Sequence, residues 1–166
     1  ERSVKDKNGK WKPSGYGETL PRAKWVERLL NLRQAQQGGV WIHMNPVDGK
    51  GIKESNITSF KYALLEFDEA PKDIQLAWLA KICLPIAAIT WSAGKSYHAW
   101  IKIDAYSLAD FKRKYELLYE FAKKYGADKT PSPTRKSRLA GVMRGEQQQR
   151  LIYLNPDADQ REGILK

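Results

Sequence analysis

One cysteine, two histidines and no long apolar run narrow the reading of this 166-residue chain before any motif is considered. A single thiol, Cys83, excludes an internal disulfide and any multi-cysteine zinc knuckle, so no zinc is expected within this chain. Cys83 lies in an apolar, helix-like stretch and is expected in the core. Hydrophobic residues make up 42% of the sequence but come in short runs, none long enough to cross a bilayer, so no membrane partner is expected. Nothing resembles a signal peptide, and the missing initiator methionine before Glu1 is read as the mark of a piece of a longer protein. There is no internal repeat. The string Gly94-Lys95-Ser96 ends like a phosphate-binding loop, yet the earlier glycine of that pattern would fall on Ile89, which excludes a P-loop.

Acidic residues are in short supply too: 19 stand against 29 lysines and arginines, for a net charge of +10. A polyanion is the natural partner of such a surface, with a merely solvating basic surface as the alternative. The length suits one domain with a real core.

Residues 1–19 are polar, basic and broken by Gly9, Pro13, Gly15 and Gly17, which predicts a flexible or loosely docked arm, with Trp11 and Tyr16 as residues to pin it, before a single core over 20–166. Pro21 opens a helix with an apolar stripe of Trp25, Val26, Leu29, Leu30 and Leu32, ended by Gly38-Gly39. Strands are predicted over 40–44 and from about Ile57 to Asp68, with a loop between them. Pro71 and Asp73 start a second helix carrying Ile74, Trp78, Leu79 and Ile82. Strands over 86–92 and 96–103 flank the turn Ala93-Gly94-Lys95 and should form an antiparallel hairpin. The longest helix follows over 107–125, with Leu108, Phe111, Tyr115, Leu118 and Ala122 inward and Gly126 as its stop. A last strand is expected over 151–154.

Two pairs stand out in these strands: Glu66/Asp68 in LLEFDEA and Ser96/His98 in GKSYHAW. Side chains two apart on a strand share a face, so each pair points one way. Carboxylates ending an apolar strand call for a cation or hydrogen bonds, and hard divalent metals meet that need; ordinary solvated acids are the alternative. Asp128, in a basic turn, is a candidate third ligand. Ser96 and His98 with Lys95 suit contact with phosphate better than a nucleophilic pair, since no acid nearby in sequence orients the imidazole; a structural histidine is the alternative. Arg135, Arg138 and Arg144 recur around Gly141, where guanidinium forks could grip triphosphate or template backbone, and Trp100 could stack a base.

The ordered set ExD, then SxH about thirty residues on, then an aspartate and the turn Arg138-Leu139-Ala140-Gly141, resembles the archaeo-eukaryotic primase superfamily, notably phage and plasmid primase-polymerases. The likeness spans about Gly39 to Pro156, with Glu66 where many members have aspartate and Ala140 where proline is common. It implies an α+β fold, an RRM-like antiparallel sheet with flanking helices plus a small N-terminal α/β unit. It implies two divalent ions, Mg²⁺ or Mn²⁺, held by Glu66, Asp68 and Asp128. Lys95, Ser96, His98, Arg135 and Arg138 would bind nucleoside triphosphate, and Arg144 and Trp100 nucleic acid. The function implied is template-directed nucleotidyl transfer, priming or extension in DNA replication, on a single-stranded template with a primer. A helicase outside this chain and the cytoplasm of a prokaryotic host would be its setting. A metal-dependent nuclease and a nonenzymatic RRM-like nucleic-acid-binding module are the rival functions.

Overall fold

Period-two alternation builds the centre of the molecule, whose computed structural model describes residues 1–30 and 37–158. The chain runs β1 (Ser3–Lys5), β2 (Trp11–Pro13), α1 (Arg22–Leu30), β3 (Trp41–His43), β4 (Phe60–Leu65), α2 (Lys72–Lys81), β5 (Ile86–Trp91) and β6 (Tyr97–Ala105). It continues with α3 (Leu108–Ala122), β7 (Lys136–Arg138), β8 (Met143–Arg144), β9 (Gln147–Gln148) and β10 (Arg150–Leu154). β10, β5, β6 and β4 form one antiparallel sheet in that order, so β4 and β5 run parallel on either side of β6, joined through α2. Ala99, Ile101 and Ile103 of β6 are fully buried on one face, against Leu79 of α2 and Phe111, Tyr115 and Leu118 of α3. This mixed α+β architecture, a sheet with helices on one face, is the one expected.

α3 forms as its pattern predicts. Ser107 caps it, accepting from the Asp110 N–H at 3.2 Å; after Ala122 the chain tightens into a 3-10 turn over Lys123–Tyr125, which Gly126 closes at φ +79°, the left-handed region that glycine enters without strain. α2 turns a different residue inward: fully buried Gln75, not Ile74, faces the interior beside Leu79. Cys83 follows the helix end and is exposed, because the chain has already left the helix at Ile82. β4 is shorter than expected at both ends, and Ile57 makes only an isolated bridge to Val47.

The N-terminal residues, expected as an arm without regular structure of its own, carry a short hairpin. β1 and β2 pair as a hairpin, Arg2 bridges to Val40, and the Trp41 N–H donates to the Glu1 carbonyl at 2.8 Å. Long-range strand pairing outweighs the polar composition here. α1 forms where expected but buries none of its residues, with Val26 65% and Leu30 83% exposed. The sheet's apolar face is already covered by α2 and α3. Leu32 of the expected stripe lies outside the described residues. β3 pairs with β7, Trp41 opposite Arg138 and His43 opposite Lys136, and this ribbon faces the other side of the central sheet.

Candidate functional site

Glu66 and Asp68 follow directly on β4. Phe67 between them is fully buried in the core, so the two acids turn the other way and line one cavity of about 480 Å³. The β5–β6 hairpin treats its pair alike: Tyr97 packs on the core while Ser96 and His98 line the same cavity. β4 pairs with β6, Leu65 opposite Ala99, which brings Glu66 beside His98 with Oε2 3.6 Å from Nε2. The chain after α3 returns along the end of β4, where the Asp128 N–H donates to the Glu66 carbonyl at 2.9 Å and the Thr130 hydroxyl to the Leu64 carbonyl at 3.0 Å. Asp128 turns its carboxylate onto the Asp68 N–H, at 2.7 Å.

Burial raises the Glu66 carboxyl pKa, Arg135 at 2.7 Å draws it back, and Asp68 and Asp128 add to the rise. Burial, then Arg138, Arg135 and Arg144, holds His98 down to about 3. The imidazole is therefore neutral at physiological pH, and its contact with Glu66 is not an ion pair. Its Nδ1 is buried without a hydrogen-bond partner among the described residues.

Three carboxylates are donors of the kind that Mg²⁺ and Mn²⁺ take, so the donor set fits in chemistry. They stand close enough to act on one another's charge, but among the described residues no three acidic, histidine or cysteine side chains are gathered to hold an ion. Glu66 is neutralised by Arg135 instead, and one oxygen of Asp128 is taken up by a backbone N–H.

Cations dominate the remaining wall. Five of them, Lys95, Arg135, Lys136, Arg138 and Arg144, face two acids, Glu66 and Asp68, across the cavity. Lys136 pairs with Glu1 and Arg135 with Glu66. Among the described residues the guanidiniums of Arg138 and Arg144 hydrogen-bond to carbonyls, those of Gly38 at 2.8 Å and Ser92 at 3.0 Å, and to no carboxylate. Arg138 is 4% exposed, and burial with its neighbour Arg144 lowers it to about 9, so it stays charged at neutral pH without a carboxylate partner among the described residues. A buried charge in that state is costly until an anion arrives.

Two sequence-nominated residues do not line this cavity: Asp128, which stands behind Asp68 with its carboxylate on that residue's N–H, and Trp100. Trp100 packs on Tyr62 with ring centroids 5.6 Å apart. Trp41, Lys136, Thr134, Ser92 and Pro13 line it without having been singled out as site residues. Three buried amides were also missed. Asn45 accepts from the Lys61 and Tyr62 N–H groups and donates to the Tyr62 and Pro133 carbonyls; Gln149 ties Val40 to Leu139. Gln75 donates to the Ala70 and Lys95 carbonyls and accepts from the Tyr97 N–H, clamping the turn that carries Lys95 and Ser96. Their only sequence signal is an amide at an otherwise apolar helix position, and that only for Gln75.

No protein-family model matches the chain, and no curated protein does. Among solved structures it is similar to the AEP domain (PP-N190) of the cyanophage S-2L primase-polymerase, with 22% identity and a TM-score of 0.57, over 84% of this chain and 72% of that one. The fold is therefore α+β and like that of a primase-polymerase AEP domain. No helix among the described residues is long and apolar enough to cross a membrane.

Proposed function

We propose that the chain is the catalytic core of a template-directed nucleotidyltransferase of the primase-polymerase kind, acting on nucleoside triphosphates along single-stranded DNA. One observation carries the reading: a single cavity sets the acidic pair Glu66/Asp68 against buried Arg138 and half-buried Arg144, neither of which has a carboxylate partner among the described residues. A polyphosphate satisfies those guanidiniums, and its reacting phosphorus then lies toward the acids. Likeness of fold to a primase-polymerase domain supports the same reading.

In this proposal Arg138, Arg144, Lys95 and Ser96 bind the triphosphate, and neutral His98 offers a hydrogen bond without adding charge. Glu66, Asp68 and Asp128 would hold divalent ions such as Mg²⁺ or Mn²⁺, which supply charge neutralisation of the phosphates and of the attacking oxygen. The primer 3′-hydroxyl gives up its proton to solvent as its oxygen bonds to the α-phosphorus, the bond from that phosphorus to the bridging oxygen breaks, and pyrophosphate leaves. The protein's share is positioning and electrostatic preorganisation.

The test is incubation with a primed single-stranded template, Mn²⁺ or Mg²⁺ and labelled nucleotides. Template-dependent incorporation is expected. Cleavage of the DNA regardless of nucleotide, or binding of DNA with no chemistry, would sink the proposal in favour of a nuclease or a binding module.

A further inference from the structure

The N-terminal hairpin reaches the cavity through a ring of four residues. The Trp41 indole N–H donates to the Ser3 hydroxyl at 3.0 Å, and that hydroxyl is in donor reach of the Gly38 and Gly39 carbonyls at 2.8 and 2.9 Å. The Gly38 carbonyl also accepts from Arg138 Nη1 at 2.8 Å. Arg138 closes the ring by lying over Trp41, its guanidinium carbon 3.4 Å from the indole centroid. Cross-strand pairing of β3 with β7 sets Trp41 directly opposite Arg138, so the stack follows from register. Gly38 is required for the seat: a Cβ there would collide with Ser3 Cβ and the Trp11 ring, which come flush against the bare backbone.

A long side chain pointing at a cavity has several rotamers to lose when it meets a ligand. An indole under one face and a carbonyl at one edge remove that freedom before the ligand arrives. Trp41 and Pro13 both line the cavity wall, so the hairpin is part of the pocket's frame.

We infer that Trp41 is a positioning residue for Arg138, and that the N-terminal hairpin, through Ser3, holds Trp41 in place so that Arg138 presents its guanidinium to an anionic ligand. The inference rests on the anionic substrate of the reading above but not on nucleotidyl transfer. Trp41 acts only through Arg138, and loss of the indole weakens binding only while that arginine is present.

Two measurements on the full chain separate the claims: equilibrium binding of inorganic tripolyphosphate, and templated nucleotide incorporation. Trp41→Leu is expected to weaken tripolyphosphate binding about tenfold, while Trp41→Tyr, which keeps a ring, stays within about twofold of wild type. Ser3→Ala, a milder change at the far side of the ring, is expected to weaken it about threefold. In an Arg138→Met background neither Trp41→Leu nor Ser3→Ala adds a further loss. Losses that multiply with that of Arg138→Met overturn the inference, as does a Trp41→Tyr variant as weak as Trp41→Leu. Where Trp41→Leu fails to fold, the Ser3→Ala cycle decides alone. Coupled tripolyphosphate binding without nucleotide incorporation supports the inference and overturns the polymerase reading; incorporation with multiplying losses does the reverse. A wild-type chain that binds no tripolyphosphate overturns the inference, and overturns the polymerase reading as well where it incorporates no nucleotide.

Discussion

The two faces of the central sheet bury their side chains for opposite reasons. On the helix side Ala99, Ile101, Ile103, Phe111 and Leu118 are fully buried, and each large apolar side chain there contributes roughly 1.5–3 kcal/mol by leaving water. On the other side Glu66, Thr90, His98 and Arg138 are buried to within 8% exposure, and burial works against the charged forms of three of them. One face holds the fold together. The other is assembled at the expense of stability, which is the pattern expected where a ligand rather than the protein completes the interactions.

The contrast is tested first where it should be sharpest. Asp68 is exposed on the cavity side, so Asp68→Ala is expected to lower nucleotide incorporation by more than about a thousandfold while the unfolding midpoint stays within about a degree of wild type. Steady incorporation assays and thermal unfolding on the same preparation check both halves. Retained activity would remove Asp68 from the site.

Phe111→Ala on the helix side should do the opposite. It is expected to destabilise the fold by about 3–5 kcal/mol in denaturant titrations, leaving the nucleotide affinity of the remaining folded protein unchanged. A selective loss of affinity at unchanged stability would erase the division between the faces.

Acid should act on the cavity side. His98 has its folded pKa lowered to about 3 from 6.5, so the folded state refuses a proton that the unfolded chain accepts. Its contribution is fully present above about pH 6.5 and is lost as pH falls from there toward 3, with a magnitude on the order of a few kcal/mol. Glu66 has the opposite slope: its raised pKa makes its contribution largest at low pH and lost as pH rises. Unfolding free energy measured across this range should fall less steeply on acidification for His98→Gln than for wild type. An unchanged slope would mean that His98 is not held neutral by its surroundings.

The smallest effect expected concerns the pair of Arg135 and Glu66. Because Arg135 already neutralises Glu66, Arg135→Gln should tighten Mn²⁺ binding measured without nucleotide by about tenfold. Unaltered or weaker Mn²⁺ binding would show that the guanidinium does not compete with a cation for that carboxylate.

Much of the fold is visible in the chain because it rests on local periodicity. The 3.6-residue stripe of α3 and the glycine that ends the turn after it, the hairpin of β5 and β6 and the alternation along β6 all form at or near their expected places. α2 is the instructive exception, since its inward amide pairs with groups up to 22 residues away and no periodicity reports that. The N-terminal hairpin was missed for the same reason. Its polar sequence is ordered by pairing with Val40 and Trp41, dozens of residues further along.

By itself the sequence determined that Glu66 and Asp68 share a side, that Ser96 and His98 share a side, and that basic residues outnumber acids. The first two follow from strand geometry, in which direction repeats every second residue whatever the surroundings. Only the tertiary structure decided that both pairs open into one cavity, that Arg135 meets Glu66 across 69 residues of chain, and that Trp41 lies against Arg138. Those contacts depend on which strand pairs with which and in what register, and that choice is made by burial summed over the whole molecule, beyond the reach of any local pattern.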